Sequence, residues 1–106
     1  MKKSAKLLPK HKRQFSRLGE RLKLARLRRG LSAELVAERA GISRQSLTRM
    51  EAGAPNVTFS NLFQVMQVLG LGADIDKLAT DDEMGRKLQD LDLKTPKRGP
   101  KRRVNE

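Results

Sequence analysis

The chain has no cysteine, tryptophan or tyrosine and only three phenylalanines. Without cysteine there is neither a disulfide nor a thiolate metal site to hold the fold, so a plain aliphatic core has to suffice. The missing cysteines also fit a reducing cytoplasm. No apolar run approaches the roughly 20 residues needed to span a bilayer, and the Lys-rich start, Met1 to Arg13, is not followed by the apolar core of a signal peptide. The expectation is a cytoplasmic protein, neither secreted nor inserted in a membrane. The single histidine, His11, has no clustered carboxylates beside it, so no metal, cofactor or catalytic role is expected of it. With 106 residues the chain has room for one small domain and its tails.

What is present in excess is positive charge, and its distribution matters more than the net +12. Residues 1–30 hold twelve basic and one acidic side chain, and residues 94–106 hold six and one. Residues 31–70 balance at three of each sign, whereas residues 71–93 carry three basic against seven acidic. Only the flanks are built for a polyanion, and nucleic acid fits that pattern better than a membrane surface.

The periodicity predicts helices throughout and no strand. Residues 1–15, rich in Lys and broken by Pro9, read as a flexible basic arm. Leu18, Leu22 and Ala25 recur at helical spacing, widened by Leu24, Leu27 and Leu31, and predict a first helix over 16–29 that Gly30 stops. Ser32 caps a second over 33–40, ended by Gly41. Ser43 caps a third that runs to Glu51 or Ala52, closed by Gly53 and Pro55. Thr58 begins a fourth, whose apolar face of Phe59, Leu62, Phe63, Met66 and Leu69 is assigned to the core. A fifth follows Asp74, lined by Leu71, Ile75 and Leu78. Asp81 or Asp82 then restarts a pattern of Met84, Leu88 and Leu91. The expected organisation is an arm over 1–15, a helical domain over 16–80, an acidic amphipathic extension over 81–93 and a basic disordered tail over 94–106.

Residues 33–52 meet the geometric demands of a helix-turn-helix. Ala37 supplies the small side chain needed where two helices cross closely, and Gly41 supplies a turn residue that tolerates positive φ. Ile42, Leu47 and Met50 give the second helix an aliphatic inner face. With Leu47 and Met50 inward, Arg44, Gln45, Thr48 and Arg49 turn outward together. Arg can bond guanine O6 and N7, Gln can bond adenine N6 and N7, and Thr offers a hydroxyl or a methyl group. These side chains are suited to reading a major groove.

Leu31 to Gly53, LSAELVAERAGISRQSLTRMEAG, resembles the Cro/C1 (XRE) family of helix-turn-helix regulators, and the resemblance extends from about Leu18 to Leu78. It implies an all-α, five-helix lambda-repressor-like domain, flanked by the basic arms, and a structural ion pair between Arg26 and Glu51. It further implies base reading by Arg44, Gln45 and Arg49, with Thr48 on base or backbone, and phosphate contacts from Ser43 and Ser46. The family often has Gln where this chain has Ala33, so that phosphate contact is expected to be missing. Arg21, Arg28 and Arg29 are added as phosphate candidates on charge. The implied function is a nucleoid-associated bacterial repressor, a homodimer on double-stranded DNA, without enzymatic activity. Pro55-Asn56 and the stretch after it also resemble HipB-like antitoxins, which bind a HipA-like kinase toxin and repress their own operon.

Several other signals carry less. Lys97-Arg98-Gly99-Pro100-Lys101 is similar to an AT-hook but lacks the Arg between Gly and Pro, so generic phosphate binding is preferred. Asn56-Val57-Thr58 has the form of a glycosylation acceptor and is read as helix capping. Gly70-Leu71-Gly72 lacks the strand and the Lys-Ser or Lys-Thr of a phosphate loop. Asp81, Asp82 and Glu83 are read as acids attracted to a helix N-terminus rather than as a catalytic pair.

Overall fold

The structure, a computed structural model, describes residues 6–92. They form five α-helices, α1 (Pro9–Arg28), α2 (Ala33–Ala40), α3 (Arg44–Glu51), α4 (Phe59–Val68) and α5 (Glu83–Leu91), with a 3-10 helix at Gly72–Lys77 before α5. Among the described residues there is no strand. The chain divides into two compact units, one ending at Asp76 and the other starting at Lys77.

In the first unit, Leu22 and Ala25 of α1, Val36, Ala37 and Ala40 of α2, Leu47 and Met50 of α3, and Val65, Met66 and Leu69 at α4 make one buried cluster. Val36 and Leu47 are fully enclosed. The three short helices begin alike, because each needs a partner for its orphan N–H groups. Ser32, Ser43 and Thr58 accept from the backbone N–H of Leu35, Ser46 and Asn61, at 3.1, 3.0 and 3.2 Å. The tripeptide at Asn56 thus ends in a helix cap. In the second unit Asp82 accepts from Gly85 N at 2.9 Å and caps α5. Met84, Leu88 and Leu91 lie along one side of α5, all solvent-exposed within the chain.

The structure departs from the sequence reading at three places. α1 begins at Pro9, so residues 9–15 are helical rather than part of a flexible arm. Pro9 presets φ for a first helical turn, and Phe15 and Leu18 face Val57, Phe59 and Leu62 across an apolar groove that anchors this half of the helix. Leu24 and Leu27, expected to widen the apolar stripe of α1, and Phe59, expected in the core, are exposed. The expected fifth helix is instead the 3-10 turn, bounded by left-handed Gly70 and Ala79. Leu71 and Ile75 still pack on the core, and Leu78 is exposed. The proposed tail and its AT-hook-like stretch, from Lys94 on, lie outside the described residues, as does the start of the arm.

Candidate nucleic-acid interface

The turn between α2 and α3 is fixed by a few local demands. Gly41 takes φ 75°, a left-handed conformation that a β-carbon would strain. The chain then reverses, with Ile42 N donating to the Ala37 carbonyl at 3.0 Å. Ala37 is only 3% exposed, which explains the small side chain where α3 crosses. Burial of Leu47 and Met50 sets the rotation of α3 and leaves Arg44, Gln45, Thr48 and Arg49 exposed on one side.

The four outward residues differ in their freedom. Arg44 Nη1 is 2.9 Å from Glu34 Oε2, an exposed pair linking the starts of α3 and α2. Thr48 Oγ1 donates to the Arg44 carbonyl at 3.0 Å, which occupies its hydroxyl proton and leaves the methyl group and an oxygen lone pair for other contacts. Gln45 and Arg49 have no side-chain partner among the described residues. Ser43 Oγ both caps α3 and donates to Ser46 Oγ at 3.0 Å, so its single proton is taken, whereas the proton of Ser46 remains available.

Behind this face, Arg26 clamps three elements. Its Nε and Nη2 donate to the two carboxylate oxygens of Glu51 at 2.7 and 3.0 Å, and Nη1 donates to the Leu31 carbonyl at 3.1 Å. Both side chains of the pair are about 10% exposed. The hydrogen bond to Glu51 raises the Arg26 pKa further above its already high ordinary value; burial opposes this and the Glu51 charge adds to it.

A second fixture escaped the sequence reading. Gly19 lies so close to the end of α3 that a β-carbon would stand 2.6 Å from the carbonyl oxygens of Met50 and Glu51. From the other side Gly53, at φ 87°, would place a β-carbon 2.6 Å from Ser16 Cα. The signal for it was a lone Gly inside an amphipathic helical pattern. Opposite charges at the first turns of α2 and α3 were the corresponding signal for the Glu34–Arg44 pair.

The three arginine phosphate candidates of α1 and its C-cap do not all point the same way. Arg29 Nη1 folds back to the Ala25 carbonyl at 2.9 Å and closes the end of α1. Arg21 and Arg28 are exposed. Helical spacing puts them on the far side of α1 from Gly19 and Arg26, the two residues that meet α3. They therefore do not flank the outward face of α3.

Residues 17–78 match the sequence profile of a family described as a helix-turn-helix domain. The chain belongs to that family. The match runs from the third turn of α1 to just past the 3-10 helix, and no catalytic family matches. DNA is the partner a helix-turn-helix domain implies. No curated protein of similar sequence was found. Among the described residues, no helix is long and apolar enough to cross a membrane, and no group of three or more His, Cys, Asp or Glu residues could hold a metal ion.

Proposed function

We propose that this helix-turn-helix protein is a sequence-specific transcriptional regulator of the Cro/C1 (XRE) type, a repressor that places α3 in the major groove. The observation that carries this reading is the outward, contiguous set Arg44, Gln45, Thr48 and Arg49 on a helix whose rotation is fixed by buried Leu47 and Met50. Arg49 and Gln45, unpartnered among the described residues, read bases. Arg44 does so after leaving Glu34, and Thr48 presents its methyl group to a thymine. Ser46 donates to a phosphate, and Ser43 does so only by giving up its bond to Ser46. A homodimer would bind two half-sites of a palindrome roughly one helical turn apart.

Selection of bound duplexes from a random pool tests the reading. Wild-type protein should enrich a defined motif, and Gln45→Ala with Arg49→Ala should abolish the enrichment while weak binding to random DNA persists. Equal recovery of all sequences by the wild type would reject base readout. The exposed apolar stripe on α5 favours a second, compatible reading, a HipB-like antitoxin with a HipA-like kinase partner. Co-purification with a kinase-like neighbour in the genome would support it, and the lack of such a neighbour would remove it.

A further inference from the structure

The outer face of α1 is charged in a way that the helix itself does not need. At about 100° per residue, Lys10, Arg13, Arg17, Arg21 and Arg28 fall within a sector of roughly 80°. At about 1.5 Å per residue this stripe runs for roughly 27 Å, the length of about eight base pairs of duplex. All five residues are exposed, and none has a salt bridge or side-chain hydrogen bond among the described residues. Glu20 is the only acid in the helix.

This placement opposes the stability of α1. A helix N-terminus carries partial positive charge and favours acids, yet the first turn has none and holds Lys10 and Lys12, with Arg13 next. Arg13, Arg17 and Arg21 follow one another at i, i+4 spacing, where like charges repel. The helix is held by Phe15, Leu18 and the close approach at Gly19, so these cations are displayed against a repulsion that a polyanion would relieve. The stripe also points the wrong way to assist α3, because α1 meets α3 through Gly19 and Arg26 on its opposite side.

We propose that the outer face of α1 is a second, sequence-independent DNA-binding surface, which grips the phosphates of a second duplex segment while α3 occupies the first. The proposal rests on the reading of this chain as a DNA-binding protein, but not on base readout by α3. It gives the protein a means of bridging two DNA segments.

The test uses the full chain on bead-bound duplex of random sequence, to which a fluorescent second duplex is added. Wild-type protein should capture the second duplex. Arg13→Gln, Arg17→Gln and Arg21→Gln together should lower capture per molecule of protein retained on the beads at least about tenfold and flatten its salt dependence by about 0.9 for each phosphate no longer neutralised, while binding of the protein to the first duplex through α3 persists. Without DNA this variant should melt at or above the wild-type temperature, since it removes repulsion, and that shows it is folded. A control that neutralises Lys97, Arg98 and Lys101 should retain capture. Undiminished capture by the α1 variant would overturn the proposal, pointing to bridging by two α3 faces of a dimer or by the tail. Loss of binding to phosphatidylglycerol vesicles by the α1 variant, with duplex capture intact, would also overturn it and assign the stripe to a membrane surface. Failure of the wild type to bind even the first duplex would reject DNA binding itself, a step earlier.

Discussion

In the free protein Arg44 is held by Glu34, and in a DNA complex it would have to exchange that carboxylate for a base edge. Exposed pairs of this kind are worth about 0–1 kcal/mol, so the exchange is close to balanced in either direction. Glu34→Gln should release Arg44 and remove a negative charge near the duplex, tightening DNA binding by up to about fivefold in a titration. Weaker binding would mean that Glu34 positions Arg44 rather than competes for it. Arg49 has no such competitor: Arg49→Ala should cost about 1–3 kcal/mol on a selected sequence and little on random DNA. The Arg26–Glu51 clamp acts on the fold instead. Removing either partner leaves a charge largely enclosed and should cost about 3–5 kcal/mol in denaturant unfolding, with strong coupling in the double variant. Because the Arg26 pKa is raised, the stabilisation that depends on its charge is complete below the ordinary arginine pKa and is lost only as pH rises through the still higher folded value. The clamp therefore holds through the neutral and mildly alkaline range.

Among the elements, α1 and α3 depend on each other most closely. Gly19→Ala would ordinarily gain about 1 kcal/mol of helix propensity. At this position the β-carbon meets two backbone carbonyls at 2.6 Å, which cannot move without shifting α3, and overpacking of about 1–3 kcal/mol should win. Thermal melting of Gly19→Ala should therefore show a net loss; a gain would show that α1 and α3 are not so closely apposed. The same pair of helices marks the boundary of what was legible in the sequence. α2, α3 and the turn between them were readable because each boundary is fixed locally, by Ser32, Gly41, Ser43 and Gly53. The start of α1 was not, since local charge argues against a helix there and only contacts with residues 53–62 sustain it. Phe59 misled for the converse reason: its position in the helical pattern gives the side it occupies, but not whether anything covers that side. The 3-10 turn lies between left-handed Gly70 and Ala79 over a span that would accommodate an α-helix as short as α2 or α3, so the apolar spacing of Leu71, Ile75 and Leu78 does not distinguish the two.

At the scale of the whole molecule, the described residues carry their charge unevenly, and each surface suits a different task. The outward face of α3 carries few charges and varied hydrogen-bonding groups, suited to discrimination between bases, whereas α1 carries many cations and little variety, suited to phosphate. α5 sets Arg86 and Lys87 against Glu83 and Asp90, and its exposed Met84, Leu88 and Leu91 suit a protein contact such as the homodimer in the proposed function. The central claim is that α3 enters a major groove with Arg49 against a base. Dimethyl sulfate protection on a selected duplex measures this directly, because the reagent methylates guanine N7 in that groove. Wild-type protein should protect guanines within both half-sites, and Arg49→Ala should expose the same guanine in each half-site while other protected positions persist. A protection pattern identical for the two proteins, or no major-groove protection by the wild type, would contradict the account.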